Sequence, residues 1–276
     1  MALPGFVRRL SYHGFIRGVA RKLPAGPLKC LRWLYYRLAC PKDGVLNLEL
    51  NGIRAKFYVS DCGELRILES FDCETDLLRL FTRVLRSGDC VYDVGASIGL
   101  WTAFLAKVVG HDGTVAAFEP CRVSYERLQQ NLKLNRLTQV RAFPKALGEL
   151  DGPGEACLGG IRLALGARTA TKAAQDSIPV VQGDRFRMSE SLPTPRAVKI
   201  DVEGCEWFVV NGLHQTLAEP ACEVLCCEIH PRLLPSGVTQ RLILDLVRSL
   251  GFSRVSLVPR GAEVHALCFK KEPPPS

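Results

Sequence analysis

The sequence predicts a doubly wound α/β domain built on a mostly parallel sheet. From about residue 74, segments with helical spacing alternate with short apolar segments that are typical of buried strands. Strands separated by helices run parallel, because each helix carries the chain back across the sheet. The last two strand-like segments, 253–258 and 263–269, are joined by a short turn without a helix, so they are antiparallel.

The elements of this domain are predicted in order from apolar periodicity and turn residues. The predicted helices cover 74–86, 100–110, 123–135, 205–213 and 239–250, and the predicted strands cover 91–95, 114–120, 140–143, 178–181, 197–202, 222–230, 253–258 and 263–269.

A β-hairpin and a helical segment precede the domain. Two alternating segments within 45–59 flank Asn51-Gly52, a dipeptide that favours a tight hairpin turn. Upstream, apolar residues between 6 and 38 have helical spacing that prolines and glycines interrupt. The predicted organisation is therefore a basic helical segment plus hairpin over 1–60, the α/β domain over 61–270, and a disordered tail over 271–276.

Positive charge is concentrated at the N-terminal end. Eight of the 36 Lys and Arg residues lie before residue 41, where there is no acid, and the remaining 28 balance the 28 acids. Three interpretations of residues 6–38 stay open: a lid over the site, peripheral contact with an anionic membrane surface, and an arm on nucleic acid. Nucleic acid is the least expected partner, since the body of the chain is neutral.

Composition indicates a globular protein of the cytoplasm, with possible peripheral attachment to a membrane. No run of 18 apolar residues exists, and basic residues interrupt the apolar ones near the start, as a secretory signal would not allow. The 12 cysteines are scattered and include no C-x-x-C pair, so we expect reduced thiols and no zinc site.

A glycine-rich turn follows the first strand of the domain. In YDVGASIGLWT, Gly95 and Gly99 would let the backbone approach a ligand, and the following helix offers free N–H groups. The turn lacks the G-x-G of a dinucleotide site, and an acid in the strand, Asp93, suits a ligand with a cationic amino group.

An acid at the end of the next strand completes this pattern. Glu119 in AAFEP is placed to accept hydrogen bonds from ribose hydroxyls. A ligand with an amino-acid end, a ribose and no phosphate is S-adenosyl-L-methionine. The predicted cofactor-binding residues are Asp93, Gly95, Ala96, Gly99, Glu119 and, near the adenine, Ala146.

These motifs resemble those of the FkbM family of S-adenosylmethionine-dependent methyltransferases. The resemblance covers roughly residues 69–269 and rests on DVGASIG, AFEP, VKIDVEGCE and CEIH in that order, with Leu128, Asn131 and Asn135 between them. Departures are small: Ser97, Cys121-Arg122 and Cys205 stand where the family usually has Asn, Asn-Pro and Ala. The resemblance implies a class I methyltransferase (Rossmann-like) fold with seven strands, and methylation of hydroxyl oxygens, typically on sugars, glycolipids or natural products.

Acids and a histidine end two strands that this fold makes neighbours. Asp201 and Glu203 follow one strand, and Glu228 and His230 end the next. Ligands of open α/β sheets bind outside these carboxyl ends, so we expect the four side chains to converge.

Two catalytic roles are open for this cluster. His230 could act as general base toward a hydroxyl, with Asp201 or Glu228 orienting it. Alternatively, Asp201 and Glu228 with His230 could hold Mg²⁺, which would acidify the hydroxyl. The base is favoured only slightly, since spacing alone does not distinguish the roles of carboxylates. The simpler alternatives are that Asp201 and Glu203 cap the next helix and that His230 is a turn residue.

The sequence thus predicts an O-methyltransferase acting on a small-molecule, glycan or lipid hydroxyl. Two other classes remain: a non-catalytic membrane-surface or partner-binding protein on the same fold, and a methyltransferase acting on nitrogen of nucleic acid or protein.

Overall fold

The computed structural model describes residues 35–153 and 178–272. The chain divides into two compact units, residues 1–79 and 80–276. Most of the predicted basic helical segment and the end of the predicted tail lie outside the described residues. The described part of that segment begins with a short helix over 35–39. Among the described residues no helix is long and apolar enough to span a membrane.

The first unit contains the predicted hairpin. Strand β1 (Val45–Leu50) pairs antiparallel with β2 (Ile53–Tyr58), and Asn51 and Gly52 both adopt positive φ in the turn between them. Alternate side chains are buried, as the period-two pattern predicts. Helix α1 (Cys62–Glu69), which no pattern indicated, follows and is capped by Asp61.

The helix predicted over 74–86 begins and ends three residues earlier. Helix α2 runs from Phe71 to Arg83, and its N–H groups bond from the first turn, with Glu74 N donating to Ser70 O at 3.1 Å. Periodicity locates the apolar face of a helix but does not locate its ends, which depend on local hydrogen bonds.

The second unit is built on one seven-stranded sheet in the order β11-β12-β10-β9-β3-β4-β5. Neighbours from β10 to β5 run parallel, and β12 is antiparallel to both β10 and β11, which confirms the predicted parallel sheet with its closing hairpin. The strands are β3 (Cys90–Val94), β4 (Thr114–Phe118), β5 (Val140–Phe143), β9 (Ala197–Ile200), β10 (Val224–Ile229), β11 (Arg254–Arg260) and β12 (Glu263–Phe269).

Six helices accompany this sheet in the described part of the second unit. They are α3 (Leu100–Val109), α4 (Arg122–Leu134), α5 (Gly183–Ser189), α6 (Glu206–Gly212), α7 (His214–Ala218) and α8 (Gln240–Ser249). Helices α5 and α7, of seven and five residues, were not predicted.

The segment after β5 forms a small sheet of its own. Strand β8 (Pro179–Gln182), at the predicted 178–181, pairs parallel with β6 (Ala146–Gly148) and antiparallel with β7 (Gly152–Pro153). The residues between β7 and 178 lie outside the described part of the chain.

The central strands explain where the core lies. Every residue of β3, β9 and β10 is buried, as expected of parallel strands covered on both faces. The thiols of β10, Cys226 and Cys227, are unpaired core residues. Strand β3 lies between β4 and β9, so the order in which strands are added reverses there. In open α/β sheets ligands bind outside the carboxyl ends of the strands at such a point, and this edge of the sheet is called the crevice below.

Candidate active site

The glycine turn after β3 is held from two sides. Gly95 N and Ala96 N both donate to Phe118 O of β4, at 2.9 and 3.0 Å. The amide of buried Asn131, on α4, donates to Ile98 O at 2.8 Å. The turn is therefore fixed before any ligand binds, and Gly99 ends it as the N-cap of α3 with φ of 89°.

Position 95 requires a glycine, because the backbone that follows β9 passes too close for a side chain. Its φ is +81°, and a Cβ added there would lie 1.8 Å from the carbonyl oxygen of Asp201. The backbones that follow β3 and β9 thus touch at this point, since Asp201 N also donates to Val94 O at 2.9 Å. The predicted cofactor turn and the predicted catalytic acid meet at the same crevice.

Glu119 lies at the end of β4, beside the turn. Its carboxylate accepts hydrogen bonds from Ser97 N at 2.7 Å and Cys121 N at 2.8 Å. Burial raises the pKa of Glu119 to about 7, against the lowering effect of these two bonds. Contact of Glu119 with ribose hydroxyls, which would supply further donors, stays a prediction.

Asp93 is fully buried, and it already faces an ammonium group. Thr102 Oγ1 donates to Asp93 Oδ2 at 2.6 Å, and Lys199 Nζ lies 3.3 Å from Oδ1. Oδ1 is within ion-pair distance of Lys199 but is not aligned for a hydrogen bond. Direct contact of Asp93 with the amino group of a cofactor stays a prediction.

Lys199 links the two halves of the site. Its ammonium donates to Gly95 O at 2.9 Å and lies 3.6 Å from Asp201 Oδ2. Sequence reasoning gave this residue no role, although a lysine inside a fully apolar strand is a signal, since a buried charge needs partners.

His230 is held by a different acid from those predicted. Its Nδ1 lies 2.6 Å from Glu206 Oε1, whereas its Nε2 lies 3.9 Å from Asp201 Oδ1. Glu206 has no exposed surface, and Asp201 keeps a third of its side chain exposed. The ring therefore turns one nitrogen toward a buried carboxylate and the other toward the crevice.

The surroundings of His230 favour its cation. Burial by itself lowers the pKa of the imidazole, but the hydrogen bond with Glu206 and the charge of Asp201 outweigh it and raise the pKa to about 9. At neutral pH the ring of the ligand-free protein is consequently protonated.

Glu228 reaches the same edge with partners of its own. His265 Nε2 lies 3.0 Å from Glu228 Oε2, and an Arg260 nitrogen lies 3.5 Å from Oε1. His265 lies on β12 and Arg260 on β11. Glu228 is thus engaged by these two residues, and the acid that is hydrogen-bonded to His230 is Glu206.

Glu203 does not cap the following helix. Helix α6 begins at Glu206 with Cys205 as its N-cap, which makes no side-chain cap hydrogen bond, so neither Asp201 nor Glu203 is the N-cap residue. Glu203 instead has a positive φ of 47° and one buried carboxylate oxygen that lacks a hydrogen-bond partner among the described residues. Burial, then the charge of Asp201, raises its pKa to about 7.

The prediction that the side chains of Asp201, Glu203, Glu228 and His230 converge is confirmed for three of them. Asp201, Glu228 and His230 each offer one ligand atom, and these atoms lie within 4.8 Å of one another. A divalent cation fits this donor set only in part, since the Glu228 carboxylate already faces a His265 ring nitrogen at 3.0 Å and the Arg260 guanidinium at 3.5 Å.

Ala146, predicted near the adenine, is the first residue of β6 and is half-buried. Its small side chain is compatible with a flat ligand, and its contact with the cofactor stays a prediction. Sequence reasoning gave no role to Glu206 or Lys199. Both lie within the motif VKIDVEGCE, and this position is the signal that could have identified them.

The sheet order and the crevice define the class of this protein. A parallel sheet with an inserted antiparallel last strand, a glycine turn after its first strand and an acid ending its second are the features of class I, S-adenosylmethionine-dependent methyltransferases. The cradle fits the cofactor, because fixed turn backbone and a buried acceptor meet at the crevice.

A family model for the methyltransferase FkbM domain matches residues 93–254, more than half of the chain. The chain therefore belongs to the FkbM methyltransferase family, and this confirms the resemblance found in the sequence.

Two relatives and one solved structure are similar to the chain. The chain is similar to a hexuronic acid methyltransferase of Haloferax volcanii, with 28% identity over 195 residues, 70% of this chain and 78% of the relative. It is also similar to methyltransferase 1 of Beauveria bassiana, with 26% identity over 49% of this chain and 64% of the relative. A methyltransferase structure from Geobacter sulfurreducens is 18% identical, has a TM-score of 0.43, and is matched over 77% of this chain and 90% of its own.

Proposed function

We propose that this protein transfers the methyl group of S-adenosylmethionine to a hydroxyl oxygen of a sugar, with His230 as general base. The observation that carries the proposal is the His230 ring, whose Nε2 is turned to the crevice beside Asp201 while Nδ1 is held from behind. Sugar hydroxyls hold their proton near neutral pH, so a base must accept it as the oxygen attacks.

The acceptor class is supported by a relative. The Haloferax volcanii protein bears the name hexuronic acid methyltransferase. We therefore place acidic sugars, free or within a glycan or glycolipid, first among the acceptors, with natural-product hydroxyls next.

The roles of this chain's residues follow from their positions. When bound, S-adenosylmethionine supplies an electrophilic methyl group. Gly95, Ala96 and Gly99 would give it a close-fitting backbone, and Glu119 would accept its ribose hydroxyls. Asp201, partly exposed, would stabilise the imidazolium that forms when His230 takes the proton.

A divalent cation such as Mg²⁺ is the alternative to the base. Asp201, Glu228 and His230 could hold it, and it would acidify the bound hydroxyl. We favour the base, because the cation would have to displace Arg260 and His265 from Glu228. Activity that chelator abolishes and Mg²⁺ restores would reverse this preference.

The test is methyl transfer from labelled S-adenosylmethionine to panels of acidic glycans, neutral glycans, glycolipids, RNA and protein. We expect an alkali-stable methyl ether on an acidic sugar, and kcat/KM that rises with pH toward about 9, because His230 must be neutral. His230→Asn should lower kcat about 100-fold or more, and exposed His214→Asn is the matched control.

Other products would contradict specific parts of the proposal. An alkali-labile methyl ester would identify a carboxylate acceptor, which needs no base, and would remove the role of His230. Transfer to RNA or protein would replace the sugar, and failure to bind S-adenosylhomocysteine would leave a non-catalytic protein.

A further inference from the structure

Glu206 is a fully buried acid whose carboxylate contacts the His230 ring. It begins α6, has no solvent exposure, and its Oε1 accepts from Gly204 N at 2.8 Å while lying 2.6 Å from His230 Nδ1. A carboxylate can only accept, so in the neutral imidazole the Nδ1–H donates to it. We propose that Glu206 is a positioning residue that fixes the orientation and the tautomer of His230; this rests on the proposed function.

Two loops in mutual contact carry this pair. A Cβ added at Gly204 would lie 2.5 Å from Leu233 O, so the loop before α6 packs directly on the loop after β10. Leu233 N in turn donates to His230 O at 2.9 Å. The distance between Glu206 and His230 is thereby set by backbone on both sides, which is what a positioning role requires.

The arrangement leaves Nε2 as the nitrogen that can accept a proton. With Nδ1 protonated, the Nε2 lone pair faces the side of Asp201, 3.9 Å away and partly exposed. The opposite tautomer would put a proton on the nitrogen that must accept one. Glu206 thus does for His230 what the sequence assigned to Asp201 or Glu228.

The tautomer can be read directly by two-bond ¹H–¹⁵N correlation on the ¹⁵N-labelled full chain. His230→Asn assigns the signal among the five histidines. At pH 10, above the pKa of about 9, we expect the His230 proton on Nδ1. A proton on Nε2 in the native protein would overturn the proposal, whether or not an acceptor sugar has been found.

Glu206→Leu, which removes the acceptor that Glu206→Gln would keep, tests the consequence for the reaction. We expect loss of the single Nδ1–H tautomer and a fall in kcat of about 100-fold, with KM for cofactor and acceptor within a few-fold, because the effect belongs to the transition state. The matched control is Asp184→Asn. Asp184 is another buried carboxylate in a first helical turn, with Gln215 and Thr216 as partners.

Asp184→Asn should reduce stability without changing the His230 tautomer. If Glu206→Leu does not fold, Glu206→Asp keeps the charge but moves it away from the ring, and an unchanged tautomer and kcat in either folded variant would make Glu206 purely structural. An inactive native protein with His230 protonated on Nδ1 would instead count against the proposed function and leave the positioning geometry intact.

Discussion

At the scale of single residues, Lys199 decides how charge is arranged inside the sheet. Its side chain is nearly fully buried, and its ammonium faces Gly95 O, Asp93 and Asp201 within 3.6 Å. Moving an ion out of water costs several kcal/mol unless partners replace the water. Lys199 therefore supplies the counter-charge for buried Asp93, which would be uncompensated without it, whereas Lys199 itself also faces Asp201.

Lys199→Met should lower the free energy of unfolding by about 3–5 kcal/mol, because it leaves Asp93 buried without its counter-charge. In an Asp93→Asn background the same substitution should cost much less, since no charge is left unpaired. Urea unfolding of the four proteins measures the coupling. Exposed Lys133→Met on α4 is the control and should change stability by less than about 0.5 kcal/mol. Equal costs in both backgrounds would contradict the pairing.

At the scale of elements, the loops between strands and helices place the chemistry. Strands β9 and β10 are neighbours in the sheet, but the side chains that meet lie beyond their ends, at the start of α6 and in the loop after β10. Gly204 lies where these loops touch, with φ of +100° and Leu233 against its Cα. Gly204 is therefore needed for two reasons: the close approach of the two loops and the positive φ of the backbone.

Gly204→Ala compared with Gly237→Ala separates these two contributions. Both glycines have positive φ, but a Cβ at Gly237 meets nothing within 4 Å. Gly237→Ala should cost only the backbone strain, about 1–2 kcal/mol. Gly204→Ala should cost clearly more and should also reduce kcat, because it separates Glu206 from His230. Urea unfolding and steady-state kinetics check this, and equal effects of the two variants would show that the contact with Leu233 is unimportant.

At the scale of the whole molecule, the predicted cofactor residues all belong to the second compact unit. The unit from residue 80 onward contains the glycine turn, Glu119 and the rim of β9 and β10. A ligand that binds only the folded state stabilises the part that holds it. The hairpin over 45–58 belongs to the other unit, and membrane contact through residues 6–38 stays a prediction.

S-adenosylhomocysteine at 100 times its Kd should raise the unfolding free energy of the second unit by about 2.7 kcal/mol. Hydrogen exchange should slow at 93–99 and 116–121, which hold the predicted cofactor-binding residues of the turn and of β4. Glu119→Ala should remove the effect, whereas Glu126→Ala, exposed on α4, should retain it. Protection confined to the hairpin would contradict the placement of the cofactor.

Much of this architecture is predictable because it is local or periodic. Alternation along β1 and β2, buried runs in β3 and β10, and the turn at Asn51-Gly52 each follow from side-chain period and turn chemistry. The ordered motifs identified the family, and with it the strand order that brings Asp201, Glu228 and His230 to one edge.

Tertiary structure alone decided which of the converging charges pair. The sequence places several acids near His230 but does not indicate which of them binds the ring, because spacing along the chain carries no information on distances across loops. Packing of Gly204 on Leu233 and burial of Glu206 select one carboxylate for the ring, while His265 and Arg260 engage another. Lys199 shows the same limit, since its partners lie on two different strand ends that only the folded sheet brings within reach.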